Sequence, residues 1–199
     1  DIDSIIRSAQ NSRLVFLANP NNPTGTTMPG EAIERLVKNT SAMVVMDEAY
    51  YEFCGQTSQS LIETAPNLVI LRTFSKALQA AGIRLGYALA QQSVIEELKK
   101  VKLPFSVGIF QQAAGEIIME NRDLLIRNSN RITAERDRVF KQLKQMDNIE
   151  PYPSKANFIL FRSTTAPPGT LYKKLASKNI QVRAYDSPNL QGMLRVSIG

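Results

Sequence analysis

Four short apolar runs, each closed by polar residues, constrain the fold of this chain more than any other feature. Leu14-Val15-Phe16-Leu17-Ala18 runs into a turn cluster from Asn19 to Thr26, and Ala42 to Met46 ends at Asp47; Leu68 to Leu71 and Leu85 to Ala90 repeat the pattern. Runs this short, bounded by turn residues, read as strands apolar on both sides. Helical patterns separate them, such as Pro29 to Asn39, with Thr27 as a cap and Ile33, Leu36 and Val37 on one face. Strands alternating with helices imply an α/β fold with a largely parallel sheet covered on both faces. Ligands of such sheets bind beyond the carboxyl ends of the strands. The clusters Asn19 to Thr26, Asp47 to Tyr51 and Arg72 to Arg84 are therefore expected to converge.

Farther along, Ser93 to Lys100 reads as a helix and Pro104 as a break. Val107 to Glu120 and Arg122 to Met146 read as one or two long helices, with Leu124, Leu125, Ile132, Val139, Phe140 and Leu143 as core positions. After Pro151-Tyr152-Pro153, the pattern predicts a strand over Ala156 to Phe161 and a helix over Thr170 to Lys178. Strands over Ile180 to Arg183 and Met193 to Ile198 follow. A boundary near Gly108 to Asn121 divides the chain into a unit of residues 1–115 and a smaller α/β unit of residues 116–199.

Composition removes whole classes of chemistry. With no histidine among 199 residues, Ser-His and Cys-His pairs and most zinc sites are excluded, and no metal site is expected. Proton transfer in an enzyme would fall to Lys, Tyr, Asp or Glu. Cys54 is the single cysteine, so no internal disulfide forms and a reducing cytoplasm is the natural home. The start, Asp1-Ile2-Asp3-Ser4, does not read as a signal peptide. No apolar run approaches the roughly 20 residues of a membrane span. The net charge of +6 is scattered along amphipathic helices and reads as solvated faces plus a few anion-binding arginines. Neither nucleic acid nor membrane is expected as a partner.

Three clusters carry chemistry. Thr73-Phe74-Ser75-Lys76, with Arg84 downstream, sets two hydroxyls, an amine and a guanidinium between two strands. The hydroxyls and the planar fork of Arg84 suit a phosphate. An amine near fixed positive charge loses its proton more readily, and the neutral form attacks an aldehyde. Taken alone, the segment also fits a surface lysine on a loop. In Asn19-Pro20-Asn21-Asn22-Pro23-Thr24-Gly25, two prolines restrict the chain around Asn22. In Asp47-Glu48-Ala49-Tyr50-Tyr51, an acid closing an apolar strand can balance a cation and a tyrosine follows at hydrogen-bonding reach; a strand-ending acid and a core tyrosine fit equally.

Taken in this order, the clusters resemble the fold-type-I aminotransferases, and among them the histidinol-phosphate aminotransferase branch. The resemblance rests on Asn22-Pro23-Thr24-Gly25, on Asp47 to Tyr50, and on Ser75-Lys76 with Arg84. It continues through Gly82-Ile83-Arg84-Leu85-Gly86-Tyr87, Ala156-Asn157-Phe158 and Leu194 to Gly199. It implies the C-terminal part of the large cofactor-binding domain, a mostly parallel sheet with helices, followed by the small C-terminal α/β domain. It further implies pyridoxal 5'-phosphate, carried by Lys76 as a Schiff base, with Lys76 also shuttling a proton. Asp47 would pair with the pyridinium nitrogen, Asn22 and Tyr50 with the phenolate oxygen, and Thr73, Ser75 and Arg84 with the phosphate. Arg195 would take the substrate carboxylate.

The resemblance implies exchange of an amino group between a small-molecule donor and a 2-oxo acid. The expected pair is histidinol phosphate with 2-oxoglutarate, giving imidazole-acetol phosphate and glutamate, and Arg183 could face a substrate phosphate. Aromatic aminotransferases and threonine-phosphate decarboxylases share much of the pattern, and a cofactor-sensing transcription regulator is the non-enzyme alternative. The resemblance also implies a homodimer and a longer N-terminal region. The chain is accordingly expected to be a fragment without the ring-stacking aromatic.

Overall fold

The computed structural model describes residues 1–167 and 169–199. By contact it falls into two compact units, Asp1–Pro20 with Thr27–Asn128, and Asn21–Thr26 with Ser129–Gly199. The turn cluster after the first strand is thus shared: the chain leaves the first unit after Pro20 and re-enters it at Thr27.

The first unit is built on a sheet of β1 (Leu14–Ala18), β2 (Met43–Asp47), β3 (Leu68–Thr73) and β4 (Gly86–Leu89), in that order. β1, β2 and β3 are parallel, whereas β4 is antiparallel to β3. The connection from Phe74 to Leu85 contains only a 3-10 turn, Ala81–Ile83. Without a crossover helix, the chain returns beside the strand it has just left. Helices α1 (Ile2–Ala9) and α2 (Gly30–Lys38) cover one face, where Ala9, Ile33, Leu36 and Val37 pack with Val44, Met46, Leu68 and Ile70. These are the alternate positions of β2 and β3, as the pleat requires. α2 begins after Pro29 without a side-chain cap, so Thr27 does not cap it. The opposite face is covered over β2 and β3, where Val45 and Val69 are buried, but on β1 Leu14 and Phe16 lie exposed.

A short helix, α3 (Tyr51–Cys54), follows β2; α4 (Gln92–Val101) and α5 (Ile109–Glu120) follow β4. The boundary between the units falls inside α6 (Arg122–Lys144). Along α6 the expected core positions Leu125, Ile132, Val139, Phe140 and Leu143 are half-buried and Leu124 is exposed; the enclosed residues are Ser129 and Arg136. Arg136 spends its burial on polar contacts, donating to Ala156 O at 3.1 Å and to Asp137 Oδ1 at 2.7 Å.

The second unit has an antiparallel sheet ordered β5 (Ile149–Pro151), β6 (Phe158–Ser163), β8 (Met193–Ser197) and β7 (Arg183–Ala184), with α7 (Thr170–Ala176) between β6 and β7. Its core is Phe158 to Phe161 with Leu194 and Ile198. No helix among the described residues is long and apolar enough to cross a membrane.

Candidate functional site

β2 ends at Asp47 and β3 at Thr73, while antiparallel β4 starts at Gly86, opposite Thr73. Segments Asp47 to Tyr50, Thr73 to Lys76 and Arg84 are therefore delivered to one edge of the first sheet. Asp47 is exposed, and its Oδ1 accepts the Ala49 N–H at 2.9 Å. Tyr50 is buried, and Lys76 Nζ lies 5.4 Å from the centroid of its ring, within the range of a cation–π contact. Thr73 Oγ1 accepts the Ser75 N–H at 3.1 Å, and Phe74 N–H donates to Leu85 O at 3.0 Å. Phe74, Ala77 and Leu78 are buried, which anchors the turn from inside and leaves Ser75 half-buried and Lys76 exposed. Arg84 adopts φ 54°, in the left-handed region, with Nη1 donating to Ala81 O at 2.9 Å. The edge thus offers a carboxylate, a phenol, an amine, two hydroxyls and a guanidinium. That donor set fits a ligand with a phosphate, a ring nitrogen able to hold a proton, and an electrophilic carbon.

Asn22 and Arg195 meet in the second unit. The loop around Asn22 closes through Gly25 N–H to Asn21 O (2.7 Å) and Asn21 N–H to Thr26 O (2.8 Å), and Lys155 N–H holds it by donating to Gly25 O at 2.7 Å. Gly25 has φ 72°, and a Cβ placed there would lie 2.1 Å from Ser154 Oγ, so the loop requires glycine. Arg195 Nη1 donates to Asn22 Oδ1 at 2.6 Å, and its guanidinium carbon sits 5.0 Å from the Phe158 ring centroid. Arg195 Nε is buried without a hydrogen-bond partner among the described residues. Arg183 on β7 lies directly opposite Arg195. The predicted site residues are therefore grouped as Asp47, Tyr50, Thr73, Ser75, Lys76 and Arg84 in one unit, and Asn22 and Arg195 in the other.

Sequence reading missed a polar network behind the first cluster. Glu48, fully buried, pairs with Arg72 through Nε (3.2 Å) and Nη2 (3.0 Å) to Oε2. Thr57 Oγ1 donates to Oε2 at 2.8 Å and Ser58 N–H to Oε1 at 2.6 Å. The Arg72 guanidinium carbon lies 3.8 Å from the centroid of the Tyr51 ring. Burial pushes the nearby Glu52 carboxyl up to about 7, against the pull of Arg72 and Arg122. Burial likewise raises the Tyr87 phenol, against its hydrogen bond with Arg72. The signal lay in the period of two: Leu68, Ile70 and Arg72 share a face, and an arginine facing a core needs an acid.

The family model described as "Aminotransferase class I and II" matches residues 1–199. The chain is 42% identical over 199 residues to a histidinol-phosphate aminotransferase of Thermococcus gammatolerans, covering 100% of this chain and 55% of that protein. A histidinol-phosphate aminotransferase of Clostridium novyi is 35% identical over 187 residues, 94% of this chain and 52% of that protein. The chain thus spans about half the length of the curated relatives it matches. Among solved structures, the histidinol-phosphate aminotransferase of Sinorhizobium meliloti in complex with pyridoxal-5'-phosphate superposes with a TM-score of 0.88 at 26% identity, over 100% of this chain and 56% of that one. An L-threonine-O-3-phosphate decarboxylase of Porphyromonas gingivalis shares the fold, with a TM-score of 0.83 at 23% identity over 95% of this chain and 60% of that one.

Proposed function

Since the chain belongs to the aminotransferase class I and II family, we propose that it forms the cofactor-holding part of a pyridoxal-phosphate transaminase. The proposed reaction passes an amino group from histidinol phosphate to 2-oxoglutarate, giving imidazole-acetol phosphate and glutamate. The observation that carries this reading is the first unit's edge, where Asp47, Tyr50, Thr73, Ser75, Lys76 and Arg84 are delivered together by adjacent strands. Bound pyridoxal phosphate supplies an aldehyde carbon and a ring that withdraws electrons.

The protein's own groups do the rest. Lys76 Nζ would hold the cofactor through its aldehyde carbon, the aldehyde oxygen leaving as water, and its amine would carry the proton of the substrate α-carbon. The Asp47 carboxylate keeps a proton on the ring nitrogen. Thr73, Ser75 and Arg84 hold the phosphate through hydroxyl and guanidinium donors. From the family resemblance, Tyr50 and Asn22 are assigned to the phenolate oxygen and Arg195 to the glutamate carboxylate; within the second unit Arg195 donates to Asn22. Arg183 opposite Arg195 adds to a preference for anionic substrates, because like charges facing across a ladder are relieved by a shared anion.

Residues 1–115 are read as the C-terminal part of the large domain and 116–199 as the small domain. A homodimer belongs to the same proposal; exposed Val101, Leu103, Phe105, Ile109 and Phe110 offer apolar surface for it to cover. The single cysteine accords with the proposed cytoplasmic location.

Substrate is tested by single-turnover spectra of the whole protein with histidinol phosphate, phenylalanine and threonine phosphate in parallel. Conversion of histidinol phosphate, followed by return of the cofactor spectrum with 2-oxoglutarate, is the expected result. Turnover of phenylalanine alone would move the protein to the aromatic branch, and carbon dioxide released from threonine phosphate to the decarboxylases.

A further inference from the structure

The Glu48–Arg72 pair is the most enclosed ion pair among the described residues, with side chains 0% and 7% exposed. Its carboxylate accepts four hydrogen bonds: two from Arg72, one from Thr57 and one from Ser58. Arg72 Nη2 donates again to Thr57 Oγ1 at 2.7 Å, and on β4 Tyr87 lies in register opposite Arg72. Burying two charges costs desolvation, and replacing such a pair by well-packed apolar side chains is often neutral for stability. Stability alone therefore gives no reason for the pair.

Its placement does. Glu48 follows Asp47 at the end of β2, and Arg72 precedes Thr73 at the end of β3. Successive side chains alternate between the faces of a sheet, so the pair grips the covered side while Asp47 and Thr73 occupy the other. Glu48 N–H also donates to Leu71 O at 2.9 Å, extending the ladder one residue past β2. Thr57 and Ser58 tie in the segment after α3, and Tyr51, beneath the Arg72 guanidinium, adjoins Tyr50. Directional bonds at these points fix spacing in a way that apolar contacts do not.

We propose that Glu48 and Arg72 are positioning residues that hold Asp47, Tyr50 and Thr73 at the separations the cofactor requires. The inference rests on reading that edge as a pyridoxal-phosphate site.

The test uses the whole protein carrying this chain and reads two quantities, the urea midpoint and the affinity for pyridoxal phosphate from absorbance titration. Glu48→Leu alone strands a buried guanidinium and should lower the midpoint sharply. Glu48→Leu combined with Arg72→Met should recover much of the midpoint, short of the cost of the Ser58 N–H left without its acceptor, yet bind pyridoxal phosphate about tenfold more weakly, the scale on which residues supporting a site act. Should the double variant fail to fold, Arg72→Lys serves instead. It keeps the charge but not the fork, and the same loss of affinity is expected in folded protein. Wild-type affinity in the folded variant would reduce the pair to a structural contact and overturn the proposal. Wild-type protein that took up no pyridoxal phosphate would instead overturn the reading of the site itself.

Discussion

Asp47 and Glu48 are neighbouring carboxylates with opposite surroundings, because adjacent strand residues face opposite sides of their sheet. Asp47 is exposed and Glu48 sealed. If Asp47 holds the ring proton, Asp47→Asn should still take up cofactor while turnover falls by about 100-fold; normal turnover would remove that role. Arg84→Ala should behave differently. It deletes a charge-assisted hydrogen bond worth about 1.5–3 kcal/mol, so cofactor should dissociate at least about tenfold more readily, as a titration of the visible band would show.

Glu52 gives a pH signature. Folded, it titrates at about 7 rather than 4.5, chiefly because it is buried. Between those values the folded chain keeps a proton that the unfolded chain has lost, so stability from this group is complete below 4.5 and is lost as pH rises through 7. The cost at pH 8 is about 2 kcal/mol after allowing for solvent at this half-buried side chain. Glu52→Gln should match wild type in urea at pH 4.5 and exceed it at pH 8; equal midpoints at both would show that Glu52 ionises freely. At this scale Asp47 and Arg84 stand out in the sequence because each borders an apolar run, whereas Lys76 stands out only through the resemblance. Glu48 and Arg72 were harder to read: the apolar run stops at Leu71, so the period of two that places Arg72 with Leu68 and Ile70 shows only once β3 is carried on to Thr73.

Among the elements, the loop from Asn21 to Thr26 is the most demanding. Gly25 combines φ 72° with a Cβ position 2.1 Å from Ser154 Oγ. Gly25→Ala should therefore cost more than about 1 kcal/mol, and Ser154→Gly should restore only part of the loss, since the backbone strain persists. Full rescue would assign the whole cost to the clash. The parallel strands β1 to β3 were visible in the sequence because both-sided burial leaves continuous apolar runs. The antiparallel turn of β4 was not, since direction depends on what the connection lacks. Nor was the enclosed face of α6, which seals Ser129 and Arg136 while Leu124 stays exposed; apolar periodicity cannot find a stripe built from polar contacts. β5, three residues ending in proline, is too short to leave a pattern.

For the molecule as a whole, the chain matches its family along its entire length while spanning about half of its curated relatives. Phe16 on β1, 69% exposed, and Phe110 on α5, 86% exposed, show that apolar surface remains to be covered within the first unit. The α/β class and the grouping of Asp47, Thr73 and Lys76 at strand ends followed from pattern alone, because strand order forces strand ends together. The membership of Asn21–Thr26 in the second unit did not, since it depends on contacts with Ser154 and Lys155 far along the chain. The assignment on which the rest depends is covalent capture of the cofactor by Lys76. Borohydride reduction of the cofactor-loaded whole protein, followed by peptide mass spectrometry, tests it directly. The added mass of reduced pyridoxal phosphate should appear on the peptide containing Lys76 and vanish in Lys76→Ala. Attachment at Lys99 or Lys155, with Lys76 unmodified, would place the chemistry elsewhere and refute the assignment.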